Sequence, residues 1–336
     1  MTALRGGWFR AIGRPVFHSL PPEASHRLAT ALLRLPLPWH RLGGAVPDPS
    51  LETDLCGLRL RNPVGLAAGF DKTCSHLDAL GELGFGYLVG GTVTREARTG
   101  NPSPRIARSR RRRSIVNAMG LPNPGAAAVA ATLRRRSGGP TPRFVSLADE
   151  DLADAISSFE LLEPLVDGIE LNASCPNVSW GRDRDNEAHL RDLVAGFRER
   201  SRKPLFVKLP PFVNEVERGV VLALAALATD AGADGLTCSN TRLVEDARLS
   251  VGRGGLSGRA MWPHTPRIVQ EIRSAVGDEP AINASGGVWS ADDVATCLDA
   301  GATTVQIYSA LIYEGPGIVG ELTSDLASRR SVLRGR

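Results

Sequence analysis

Eight short apolar runs, each followed by a turn of small or polar residues, constrain this 336-residue chain more than any other feature. They cover 64–68, 87–90, 144–147, 168–171, 205–209, 235–238, 281–284 and 304–307. Amphipathic stretches at 75–83, 151–162, 187–200, 215–231, 266–276 and 291–300 lie between them. Eight strand–helix alternations predict an α/β fold, a closed parallel (β/α)8 barrel of the TIM type. A doubly wound open sheet is the alternative, but nothing resembling GxGxxG follows the first run. Gly57 interrupts the apolar stretch at 55–60, which predicts a hairpin just ahead of the first barrel strand.

The carboxyl ends of the runs carry the chemistry. In a barrel these ends converge on one face, where active sites form. Here they present Gly69 to Lys72, Gly91-Thr92, Ser146, Asn172, Lys208, Ser239-Asn240, Gly286-Gly287 and Tyr308-Ser309. The fourth run ends in Ile169-Glu170-Leu171-Asn172-Ala173-Ser174-Cys175-Pro176-Asn177, a turn offering two amides, a hydroxyl and a thiol. Carboxamides can hold a planar, imide-like ligand through paired donors and acceptors. A thiol, with an unperturbed pKa of about 8.5, is suited to abstracting a proton near neutrality. A buried, inert cysteine is the other reading of this turn. The glycine pair after the seventh run and Tyr308-Ser309 after the eighth lie where barrels bind a cofactor phosphate. With Lys208 to offset negative charge, flavin mononucleotide (FMN) suits such a site.

Composition excludes several other classes. With 42% hydrophobic and 23% charged residues the chain is ordinary for a globular protein. Aromatic residues are only 5% and the net charge is +4, too little stacking surface and charge for a nucleic-acid groove. The five cysteines are scattered and lack CxxC spacing, which argues for a reducing compartment and against a structural zinc or iron–sulfur site. No apolar run approaches 18 residues, and the basic start has no apolar segment of a secretory signal. Residues 1–45 read as a helical extension ahead of a barrel at 46–336. Its helix, at 24–34, is stopped by Pro36 and Pro38. Such a helix could cap the barrel or lie on a membrane surface.

The ordered motifs resemble those of the dihydroorotate dehydrogenase family from about Pro22 to Pro316. They begin with Asn62-Pro63-Val64-Gly65-Leu66-Ala67-Ala68-Gly69-Phe70-Asp71-Lys72, Gly91-Thr92-Val93-Thr94 and Asn117-Ala118-Met119-Gly120-Leu121-Pro122-Asn123. The central turn follows, then Val207-Lys208-Leu209-Pro210-Pro211, Ser239-Asn240-Thr241, Gly254-Gly255-Leu256-Ser257-Gly258 and Gln306-Ile307-Tyr308-Ser309. The resemblance implies an FMN-binding barrel that oxidises (S)-dihydroorotate to orotate in pyrimidine synthesis. It implies that Cys175 is the general base and that Lys72 is a cation beside substrate and flavin. Asn117, Asn172, Asn177 and Asn240 would hold the substrate carboxylate and ring amides, with Met119, Gly120, Leu121 and Thr241 alongside. Ala67, Ala68, Gly69, Lys72, Thr92, Ser146, Asn172, Lys208, Ser239, Gly258, Gly286, Gly287, Tyr308 and Ser309 would line the FMN.

The family has two broad kinds, and this chain combines features of both. Pro22-Glu23-Ala24-Ser25-His26-Arg27-Leu28-Ala29 resembles the extension of the membrane-linked, quinone-reducing kind, as do Gly255-Leu256-Ser257-Gly258-Arg259 and Gln306-Ile307-Tyr308-Ser309-Ala310. That kind implies a quinone as acceptor and a cytoplasmic protein held peripherally at the inner face of the cell membrane through residues 1–45. It normally carries a serine base and an arginine within the substrate loop. Here those positions are Cys175 and Ala118, and the third run reads Phe144-Val145-Ser146-Leu147-Ala148-Asp149, all closer to the soluble kind. A paralogue using a related cyclic amide or a soluble acceptor is the second reading, and a catalytically silent barrel the third. The arginine run 110–113 reads as a solvated loop.

Overall fold

The computed structural model describes residues 7, 9–136, 139–173 and 186–334. In chain order the strands are β1 (Thr53–Leu55), β2 (Leu58–Leu60), β3 (Val64–Leu66), β4 (Tyr87–Val93), β5 (Ile106–Ser109) and β6 (Ser114–Asn117). They continue with β7 (Arg143–Leu147), β8 (Gly168–Leu171), β9 (Leu205–Leu209), β10 (Gly235–Cys238), β11 (Arg242–Glu245), β12 (Arg253–Gly258), β13 (Ala281–Ser285) and β14 (Thr304–Ile307). β3, β4, β7, β8, β9, β10, β13 and β14 pair in parallel, each with the next, and β14 returns to β3 to close the barrel. These are the eight runs expected from the sequence. Residues along all eight strands are buried on both faces, which is why they read as continuous apolar runs.

The amino end of the barrel is filled by aromatic rings set against glycines. Tyr87 lies opposite Gly65, Phe144 opposite Gly168 and Phe206 opposite Gly235 on neighbouring strands. A β-carbon on any of these glycines would collide with the facing ring. The rings then meet edge to face, with centroids 5.7 Å apart for Tyr87–Phe144 and 5.8 Å for Phe144–Phe206. The β1–β2 hairpin lays Leu55 and Leu60 beneath them and seals this end.

Helices surround the barrel where their caps and apolar faces direct them. Asp151 accepts from Asp154 N to start Leu152–Leu162, Asn214 accepts from Glu217 N to start Glu215–Asp230, and Ser290 with Asp293 forms a capping box for Ala291–Asp299. The sequence reading did not anticipate the antiparallel sheet, in the order β11-β12-β6-β5, that rises over the carboxyl end. Two separate excursions build it, one after β4 and one after β10.

The extension contains the Pro22–Leu33 helix and a short Trp39–Gly43 helix, with Gly44 in the left-handed region ending the latter. The arginine run 110–113 is an exposed turn, as the sequence suggests, and two of its side chains also reach neighbours. Arg110 donates to the His18 carbonyl, and Arg113 lies 3.7 Å from the Glu314 carboxylate. Upstream, Arg108 donates to the carbonyls of Leu20 (2.8 Å), His18 (3.3 Å) and Phe17 (3.3 Å). These carbonyls lie at the end of the short Arg14–Ser19 helix, where no intrahelical donor remains, and arginine's forked donors can serve several at once.

Because the glycine–aromatic layer leaves no room for added atoms, Gly168→Val is expected to destabilise the protein by about 1–3 kcal/mol. Urea unfolding measures this, and an unchanged midpoint would show that the Phe144 ring is not fixed as described.

Candidate active site

The strand ends converge on a cavity of about 420 Å³ between the barrel, the four-stranded sheet and the extension. β3 and its following turn contribute Ala67, Ala68, Gly69 and Lys72, and β4 contributes Thr92. Asn117 ends β6 and Met119 and Leu121 follow it, Asn172 comes just after β8, and Lys208 lies on β9. Ser239, Asn240, Thr241, Gly258, Gly286, Gly287, Tyr308 and Ser309 complete the expected residues in the wall. Two others stand behind it. Ser146 is fully buried and pairs with the Thr92 hydroxyl at 3.1 Å, while Gly120 packs against Asn101. Cys175 and Asn177 lie outside the described residues.

Side-chain amides run across the floor as a connected chain. Asn240 Nδ2 donates to Asn172 Oδ1 at 3.2 Å, and Asn172 Nδ2 donates to Thr92 Oγ1 at 3.2 Å. Thr241 N donates to Asn240 Oδ1 at 2.7 Å, which orients that amide. Asn117 Nδ2 donates to the Gly255 carbonyl at 3.3 Å, tying the end of β6 to β12. Such a chain fixes which amide faces present donors and which acceptors before any ligand arrives.

The electrostatics are one-sided. No carboxylate is among the described residues lining the cavity, whereas Lys72, Lys208 and Arg108 are. Lys208 is buried, with Nζ 3.5 Å from Glu170 Oε1 inside the barrel. Lys72 Nζ donates to the Gly69 carbonyl, and no carboxylate among the described residues pairs with it. Burial pushes the Lys72 ammonium down to about 8, and nearby Arg105 acts in the same direction, against Asp71 and Glu23. His26, whose ring meets Phe70 edge to face at 5.4 Å, is pushed down to about 4 by burial and then by Lys72. It is therefore neutral near pH 7.

Beneath the floor lies a polar layer that the sequence reading did not single out. Thr237 Oγ1 donates to Glu170 Oε2 at 2.9 Å, and Gln306 Nε2 approaches the same oxygen at 3.4 Å. The chain continues through Asn283 and Thr304 to the Tyr87 hydroxyl. The available signal was Glu170 itself. A carboxylate inside an otherwise apolar barrel strand must find a cation or several donors.

These residues fit a flavin carrying a phosphate. Lys72 and Lys208 supply positive groups to a wall that holds no carboxylate among the described residues, and the amide chain supplies donors and acceptors for a ring. Gly286 and Gly287 take positive φ angles of 140° and 77°, and β-carbons there would lie 2.7 Å from Thr265 Oγ1 and 2.6 Å from Trp262 N. This close approach leaves a smooth backbone surface after β13. The other half of the cavity is apolar, with Phe17, Ala29, Leu32, Leu33, Leu37 and Trp39 from the extension.

Comparison with known proteins agrees with this geometry. The family model described as dihydroorotate dehydrogenase matches residues 50–329. A protein of Clavibacter michiganensis subsp. michiganensis named dihydroorotate dehydrogenase (quinone) is 39% identical, covering 90% of this chain and 93% of its own. One of the same name from Parvibaculum lavamentivorans is 36% identical, covering 95% and 93%. The crystal structure of DHODH from Eimeria tenella in complex with ferulenol superposes with a TM-score of 0.79 at 26% identity, covering 93% of both chains. The (β/α)8 barrel, its carboxyl-end cavity and the match across most of its length place this chain in the dihydroorotate dehydrogenase family.

Proposed function

We propose that this oxidoreductase binds FMN in the cavity, oxidises (S)-dihydroorotate to orotate there and delivers the electrons to a quinone. The observation that carries the reading is the cavity's division: a cationic, amide-lined floor at the strand ends and an apolar chamber under the extension. Bound FMN would supply the redox chemistry, accepting a hydride at N5 and releasing the electrons to the second substrate.

The chain's own residues divide the remaining work. Cys175 serves as general base, taking a proton from the ring carbon next to the substrate carbonyl. Lys72 stabilises negative charge as it develops and, with Asn117, Asn172, Asn177 and Asn240, holds the substrate carboxylate and ring amides. Met119, Gly120, Leu121 and Thr241 bound the same subsite. Lys208 with Ala67, Ala68, Gly69, Thr92, Ser146, Ser239 and Gly258 holds the flavin, and Gly286, Gly287, Tyr308 and Ser309 hold its phosphate.

A quinone as acceptor is supported by the names of the relatives and by the apolar chamber, which a small polar acceptor would not need. Ile12, Val16, Leu35 and Leu37 are exposed on the extension, and no helix among the described residues is long and apolar enough to cross a membrane. This supports a cytoplasmic protein resting peripherally on the inner face of the cell membrane, with the chamber open to it.

Lys72 gives the site a pH dependence with a defined sign. Its ammonium is lost as pH rises through about 8, and a bound carboxylate favours the charged form. Orotate affinity in calorimetry should therefore weaken above pH 8, by up to about tenfold per pH unit. Lys72→Met should bind weakly without that dependence, and a wild-type affinity flat to pH 10 would remove Lys72 from its role. Ala29→Trp should fill the chamber, leaving flavin bleaching by dihydroorotate intact while slowing reoxidation by a quinone analogue at least about tenfold. Unaltered reoxidation would place the acceptor elsewhere.

A further inference from the structure

An ion pair at the cavity rim is assigned no contact with substrate or flavin above, and its two charges bear on Lys72 in opposite directions. Glu23, in the first turn of the Pro22–Leu33 helix, meets Arg105, the residue before β5. Arg105 Nε and Nη2 each lie 3.1 Å from Glu23 Oε2, and Ser103 Oγ donates to Glu23 Oε1 at 3.0 Å. Both charged side chains are only about one-fifth exposed. The remaining nitrogen of the guanidinium turns inward. Arg105 Nη1 donates to the carbonyls of Thr99 at 3.0 Å and Asn101 at 3.2 Å.

The segment so held is joined to the loop that faces the substrate. Asn101 N donates to the Met119 carbonyl at 3.0 Å, and Asn101 Nδ2 donates to the Ala118 carbonyl at 2.9 Å. Ala118 N donates to the Arg105 carbonyl at 2.8 Å. A β-carbon on Gly120 would lie 2.7 Å from Asn101 N, so the two loops leave no slack. Leu121 holds a positive φ of 55°, a conformation that a branched residue keeps only when its surroundings enforce it.

We propose that Arg105, itself held by Glu23, is a positioning residue for the substrate loop, so that the extension and the dihydroorotate subsite are coupled through one guanidinium. The inference rests on the function proposed above. A planar fork can serve a carboxylate on one edge and two carbonyls on another, which a lysine ammonium cannot match in geometry. If the pair is broken, the ordering of loop 117–121 falls on substrate binding instead. By linkage, whatever seats the extension on the barrel tightens the substrate site, and bound substrate seats the extension.

A double-mutant cycle on the FMN-loaded full chain tests this, using Glu23→Gln, Arg105→Gln and the double variant. The readouts are orotate Kd by calorimetry, KM for dihydroorotate and the limiting rate of flavin bleaching. Each single change should weaken orotate and raise KM about tenfold, with the limiting rate within about twofold. The double variant should bind no more weakly than Arg105→Gln alone, because Glu23 acts through Arg105. Wild-type affinity in Glu23→Gln, additive losses in the double variant, or a lowered limiting rate with unchanged Kd would each overturn the proposal. Should Arg105→Gln fail to fold, the near-isosteric Glu23→Gln decides alone. A wild-type protein that does not bind orotate would instead remove the functional reading on which the inference rests.

Discussion

Two ammonium groups enter one cavity, and among the described residues only Lys208 finds a carboxylate, 3.5 Å away on Glu170. Burying a charge without a partner is costly, and the protein meets that cost by letting the Lys72 ammonium titrate near 8. An anionic ligand that supplies the missing charge regains that free energy. The rest of the architecture serves this arrangement. Eight parallel strands bring their carboxyl ends together, the glycine–aromatic layer closes the opposite end, and the extension lines the same cavity as Lys72.

The barrel was legible because both faces of every strand are covered. Coverage forces continuous apolar runs, and continuous runs separated by amphipathic stretches have few other solutions. The rim was legible for a related reason, since a polar residue ending an apolar run has to be explained. The sheet formed by β5, β6, β11 and β12 left no such mark. Its strands are short and partly exposed, and Asn117 pairs with Gly255 across more than a hundred residues of chain. Local pattern cannot announce a pairing that distant. Glu170 was visible as a charge in an apolar strand, but its partner emerges only from the pairing of β8 with β9.

The residues by which the sequence resembles two subfamilies are interleaved around one cavity. Those resembling the soluble kind include Ala118, just after β6, and the third apolar run, which forms β7. Those resembling the quinone-reducing kind include Pro22-Glu23 in the extension, 255–259 at β12 and 306–310 at the end of β14. Arg108, spent on the carbonyls of residues 17, 18 and 20, fastens β5 to the extension.

The most direct test of the account is anaerobic rapid mixing of the purified protein with dihydroorotate while flavin absorbance is followed, in wild type and Cys175→Ala. The account predicts that the wild-type flavin bleaches and that the variant is slower by at least about 10²-fold. A wild-type flavin that binds but stays oxidised would contradict it.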